Sequence, residues 1–131
     1  MLVTDTHPLL WFFEGKHSLL SSKALKVFEE AISGRSAIYI SSISFWEIAI
    51  LSANGKIRLD KPFDSWANEI LSIDGFKTAD LDNAIISLSV GYSFNNDIFD
   101  KAIVATAVSM DLPLITKDTA ISESRLVEVY W

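Results

Sequence analysis

The chain has no cysteine. That excludes a disulfide framework and any thiolate metal site, and makes a reducing cytoplasm the default compartment. It has only two histidines, His7 and His17, and they lack zinc-ligand spacing. Its five glycines form no phosphate-cradling loop, and nothing in it repeats or simplifies into a linker. No apolar run approaches the length of a membrane span, so no membrane association is expected. The start, Met1-Leu2-Val3-Thr4-Asp5, lacks the basic segment of a signal peptide. Basic charge is also scarce: 11 Lys and Arg against 17 Asp and Glu give a formal charge of −6. A surface of that sign does not attract nucleic acid broadly.

What is present is apolar and periodic. Half of the 131 residues are hydrophobic, enough for one domain, 1–131, with a sizeable core. Met1–Thr4 reads as a strand, followed by a helix with Pro8 in its first turn and Leu9–Phe13 in its body, ending at Gly15. A helix follows from Ser21 or Ser22 to Ile32, stopped by Gly34. Ala37–Ser41 is a second strand, and Ser44 opens a helix that closes at Asn54-Gly55. Phe63, Trp66, Ile70 and Leu71 mark another helix, and Phe76–Ala79 a third strand. Leu81–Val90 and about Asp97 to Met110 read as helices, and Leu112–Thr116 and Leu126–Trp131 as strands. Strands separated by helical patterns imply βαβ units and a parallel sheet.

The acids of this pattern carry the chemistry. Asp5 and Asp118 each follow a predicted strand, so both belong at the carboxyl edge of the sheet, where open α/β sheets bind ligands. Glu47 falls in the first turn of the helix opened by Ser44. Asp97 and Asp100, three apart, project together from the start of a small-residue helix. Right-handed crossovers can collect all five if the strands before Asp5 and Asp118 are neighbours. Two carboxylates about 4 Å apart repel by about 4 kcal/mol at an effective dielectric of about 20, so such a cluster calls for protonation or a cation. An all-oxygen set suits Mg²⁺ or Mn²⁺, an ion able to activate water against a phosphodiester. Structural roles stand beside these: Ser44-x-x-Glu47 is also a capping box, Asp97 an N-cap, and Asp5 and Asp118 turn caps. Trp11–Phe13 and Trp46–Ile50 hold large apolar groups, some of which are expected to face a partner.

Taken in order, several stretches resemble one family. They are Asp5-Thr6-His7 with Leu9-Leu10-Trp11, Ser44-x-Trp46-Glu47-Ile48 with Gly55-Lys56-Ile57, and Asp97-x-Phe99-Asp100-Lys101 with Ala105-Thr106-Ala107. Leu114-Ile115-Thr116-Lys117-Asp118 and a terminal Val129-x-Trp131 complete the set. Together they resemble a PIN domain, and most of all a VapC-type toxin of a bacterial toxin–antitoxin pair. The resemblance spans essentially the whole chain. It implies a three-layer α/β/α fold with a central parallel sheet of about five strands, and a cytoplasmic Mg²⁺- or Mn²⁺-dependent endoribonuclease. It maps catalytic acids onto Asp5, Glu47, Asp97, Asp100 and Asp118, of which Asp5, Asp100 and Asp118 would hold the metal. Thr6 and Thr116 flank them and are expected to position water or phosphate. The implied partners are an RNA substrate, a cognate VapB-like antitoxin and a second copy of the chain. The family's Asp-Pro-Phe-Asp-Arg reads Asp97-Ile98-Phe99-Asp100-Lys101 here, and its preceding His is absent from Phe94-Asn95-Asn96. The alternative is a catalytically inactive PIN-fold binding module whose acids only cap helices.

Overall fold

A computed structural model describes residues 1–131. The chain forms a five-stranded parallel sheet between layers of helices. The strands are β1 (Leu2–Thr4), β2 (Ile38–Ser41), β3 (Phe76–Ala79), β4 (Leu114–Ile115) and β5 (Val129–Tyr130), in the spatial order β3-β2-β1-β4-β5. The helices are α1 (Thr6–Phe13), α2 (Ser22–Ile32), α3 (Ser42–Ala53), α4 (Phe63–Leu71), α5 (Asn83–Val90), α6 (Ile98–Met110) and α7 (Thr119–Ser124). The expected α/β/α architecture is therefore present. No helix is long and apolar enough to cross a membrane.

Parallel strands are buried on both faces, and successive side chains serve opposite cores. Leu2, Ile38, Ile40 and Ile115 point into one core, Val3 and Leu114 into the other. The first core is aromatic. Phe28 is fully buried, stacks on Phe12 at 4.8 Å between ring centroids, and lies 6.3 Å from Phe76. Phe13 meets Phe76 edge-on. Full burial of one such ring contributes about 1.5–3 kcal/mol, and a good aromatic pair about 0.5–1.5 kcal/mol more. Phe12 and Phe13 therefore stabilise the core rather than a partner surface. Close packing also fixes Gly75, since a Cβ there would stand 2.0 Å from the Ala31 carbonyl oxygen.

The second core is aliphatic: Val3, Ile43, Ile103, Val104, Leu114 and Ile121 pack with Ala102 and Ala107. Ala102 through Ala107 of α6 are all buried. Their low bulk lets the helix lie close to β1. Thr106 donates to the Ala102 carbonyl at 2.7 Å, keeping its hydroxyl satisfied inside the apolar layer.

The structure departs from the sequence reading at element starts. Helix α3 begins at Ser42, directly after β2, because Ser41 at the strand's end already caps it by accepting from the Ile43 amide at 3.3 Å. Glu47 consequently stands in the second turn, not the first, and Ser44 is a buried interior residue rather than a capping-box partner. Strand β4 is shorter than Leu112–Thr116. The short helix α7, capped by Asp118, was not expected; six residues are too few to show a periodic pattern.

Candidate active site

β1 and β4 are neighbours, with Val3 opposite Leu114 and Thr4 opposite Ile115. The ladder continues one step further, as the Asp5 amide donates to the Ile115 carbonyl at 2.9 Å. Asp5 and Thr116 thus leave the sheet side by side. The Thr116 hydroxyl donates to Asp5 Oδ2 at 2.7 Å, and the Thr6 amide donates to Asp5 Oδ1 at 2.8 Å, making Asp5 the N-cap of α1. The same Thr116 oxygen accepts from the Asp118 amide at 3.1 Å. Asp118 in turn caps α7 through the Ile121 amide. One buried threonine therefore ties together the two acids that end β1 and β4.

The other acids arrive on helices. Asp97 is the N-cap of α6 and accepts from the amides of Phe99 and Asp100 at 2.8 and 3.3 Å. Asp100 lies in the first turn of α6, half-buried, its Oδ2 accepting from Asn95 at 2.9 Å. Asn95 also accepts from the Asp97 amide, so it links the loop to both acids. In the sequence Asn95 stands only as a departure from the family pattern. The Asn-x-Asp spacing, which favours an Asx turn, was the signal available. Glu47 reaches the group from α3 and lies close to the buried Thr6 hydroxyl. That hydroxyl has no hydrogen-bond partner of good geometry.

Asp5, Thr6, Thr116 and Asp118 lie at this edge of the sheet, and Glu47, Asp97 and Asp100 come near enough for their charges to act there. Their charges feel one another. Burial raises the Asp5 carboxyl above its ordinary range against the bonds from Thr116 and Thr6, and Asp118 adds to the rise. Burial also raises Glu47, assisted by the charges of Asp97 and Asp5. Asp100 is pushed up to about 7 by burial first, then by Asp5 and Asp97, with Asn95 opposing and Asp118 contributing. An acid edge that resists ionisation on its own is one that a cation would relieve. The donor set is all oxygen, and the unpartnered Thr6 hydroxyl offers one more. No three acids stand close enough to grip one ion directly. Mg²⁺ does not require that, because it keeps several waters and binds through one or two carboxylates. The residues present fit such an ion.

Asp5, Thr116 and Asp118 open into a cleft of about 430 Å³ walled by His7, Trp11 and Lys117. The Lys117 ammonium lies 4.8 Å from the centre of the Trp11 ring. Trp46 of α3 is 57% exposed and lines an apolar cleft of about 420 Å³ with Ile86, Val90 and Ile98. This is the exposed apolar surface expected around Trp46.

Strand order, crossovers and acids at the carboxyl edge define an α/β protein whose candidate site is lined by carboxylates instead of a glycine-rich loop. Residues 2–125 match the PIN domain family, and the chain belongs to it. It is similar to Ribonuclease VapC22 of Mycobacterium tuberculosis, at 26% identity over 95% of this chain and 92% of that protein. Among solved structures it is similar to a toxin–antitoxin complex from Klebsiella pneumoniae, with a TM-score of 0.66 and 19% identity over 100% of this chain and 98% of that one. It is also similar to VapBC2 from Rickettsia felis bound to a promoter DNA fragment, with a TM-score of 0.67 and 16% identity over 98% and 96%. These structures share its fold.

Proposed function

We propose that this chain is a VapC-like toxin, a cytoplasmic endoribonuclease that cleaves RNA with Mg²⁺ or Mn²⁺ and is restrained by a cognate antitoxin. The observation that carries this reading is the convergence of Asp5, Glu47, Asp97, Asp100 and Asp118 on one sheet edge, where three of them are raised by burial and mutual repulsion. The relative named a ribonuclease and the neighbours named toxin–antitoxin complexes agree with it.

Asp5, Asp100 and Asp118 would hold the ion, directly or through water. When bound, it supplies neutralisation of the phosphate's charge and a lowered pKa for the attacking water. Thr116 keeps Asp5 aimed, and Asn95 keeps Asp100 aimed. Glu47, whose affinity for protons burial has raised, takes the proton from the attacking water at its carboxylate. Water oxygen bonds to phosphorus, the bond to the 3′ oxygen breaks, and that oxygen takes a proton from solvent, leaving a 5′-phosphate. Asp97 fixes the start of α6, and with it the position of Asp100. Thr6 and Thr116 offer hydroxyls to water or phosphate. The apolar cleft at Trp46 is the contact for the antitoxin or a second copy of the chain.

One observation favours the inactive binding module instead: Asp5, Asp97 and Asp118 each cap a helix by accepting from a helix-start amide. Cleavage of a mixed cellular RNA pool decides between them, with Mg²⁺, Mn²⁺ or chelator, beside Asp5→Asn. Discrete fragments that need both the ion and Asp5 are expected. A folded protein that neither binds ions nor cleaves RNA is the binding module.

A further inference from the structure

The acidic cleft has a basic neighbour. It shares His7 and Trp11 with a second cleft of about 450 Å³, where Lys16, Lys56 and Arg58 meet. Lys16 follows α1, while Lys56 and Arg58 lie in the segment between α3 and α4. One carboxylate lies among them: Glu14, paired with Lys16 at 3.0 Å. Lys56 and Arg58 are exposed and make no ion pair. For a chain of charge −6, free cations beside the acidic site are a departure from the average surface. Trp11 stands between the two clefts, half-buried, edge-on to Trp131 at 6.4 Å and with the Lys117 ammonium at its ring. His7 tilts against it at 5.9 Å.

We propose that this strip, from Asp5 and Asp118 across His7 and Trp11 to Lys56 and Arg58, is the track of a single RNA strand leaving the cleavage site. The inference rests on the nuclease reading and adds to it the side of the site that the substrate occupies. Lys56 and Arg58 bind backbone phosphates. Trp11 receives a base next to the scissile phosphate, and Lys117, already held at the indole, meets the phosphate between them. A duplex does not suit the strip, because Trp11 can stack only on a base that has left its own stack. An acidic peptide would satisfy the cations but bring no ring for Trp11.

The test is binding of a labelled oligoadenylate strand, followed by fluorescence anisotropy in chelator so that nothing is cleaved. Lys56→Ala with Arg58→Ala should weaken binding about tenfold and lower the slope of log affinity against log salt by about 1.4, the loss of two single-strand phosphate contacts. A control pair of exposed lysines elsewhere, Lys26→Ala with Lys77→Ala, changes the charge equally and should cost less than about twofold. Trp11→Leu should weaken binding about tenfold, and Trp11→Phe, which keeps a ring, should restore most of it. Equal losses from the two lysine-arginine and lysine-lysine pairs would overturn the track in favour of unlocalised attraction. Displacement of the strand by polyglutamate, with no effect of Trp11→Leu, would make the strip a surface for acidic peptides. The same variants assayed for Mg²⁺-dependent RNA cleavage separate the two readings. Wild-type cleavage with KM unmoved in the Lys56/Arg58 variant removes the track and leaves the nuclease. A wild type that neither binds nor cleaves RNA removes both.

Discussion

Asp5, at a strand end, and Asp100, at a helix start, interact through their charges and are held in different ways. Asp5 is buried at a strand end, and both its oxygens are bonded, one to the Thr6 amide and one to the Thr116 hydroxyl. Asp100 is half-buried on the first turn of a helix, bonded only to the Asn95 amide. The sheet fixes the first; a loop asparagine guides the second. Burial raises both carboxyls, but Asp5 has donors on two sides that favour its charged form and Asp100 has one, opposed by three neighbouring acids. A site made this way has one acid set by the backbone and another whose charge depends on what enters.

The largest expected effects fall on both acids alike. Asp5→Asn and Asp100→Asn should each reduce RNA cleavage by more than the roughly ten- to hundredfold typical of outer-shell partners, measured in initial rates with Mg²⁺. If only one variant lost activity, the two sides would not share one ion.

Thr116→Val sharpens the contrast from the strand side. It is nearly isosteric and buried, and leaves Asp5 Oδ2 and the Asp118 amide without their partner. A loss of about 1–3 kcal/mol in denaturant unfolding is expected, with cleavage down about tenfold or more. An unchanged midpoint and rate would show that Thr116 does not position Asp5.

pH separates the two sides next. Without an ion, the folded state holds the Asp100 proton up to about pH 7, while the unfolded chain releases it near 3.8. The native state binds more protons in that window, so stability falls as pH rises through it. Asp100→Asn removes that loss. The variant should be more stable than wild type well above pH 7, on the order of 1 kcal/mol once solvent screening of this half-exposed group is discounted, and no more stable near pH 3. Thermal unfolding in chelator across pH reads the difference, and a variant less stable at every pH would contradict it.

The smallest effect is at Asp97. As a cap alone, it should tolerate Asp97→Ser within a few tenths of a kcal/mol, while Asp97→Ala costs about 1 kcal/mol. Cleavage retained in the serine variant assigns Asp97 to capping; cleavage lost in both assigns it to the ion as well.

Much of this was legible before the fold. Strand ends placed Asp5 and Asp118, because a short apolar run followed by an acid puts that acid at a sheet edge. The small residues from Ala102 to Ala107 announced a helix packed closely on the sheet. Helix starts were less legible. Ser44 reads as the cap and Ser41 as the last residue of a strand, and only the absence of a loop after β2 shows that Ser41 takes the role. Helix α7 and the Asn95 bridge depend on hydrogen bonds between residues whose types suit a plain loop equally well. The basic cleft escaped the sequence because Lys16 and Arg58 meet through tertiary packing alone.

The most direct measurement is a calorimetric titration of the isolated protein with Mn²⁺, beside Asp5→Asn and Asp100→Asn. Saturable binding by the wild type, abolished by the first substitution and weakened by the second, with protons released near pH 7, is the predicted result. No saturable heat from the folded wild type, or equal binding by all three proteins, would contradict a cation shared across the two sides of this site.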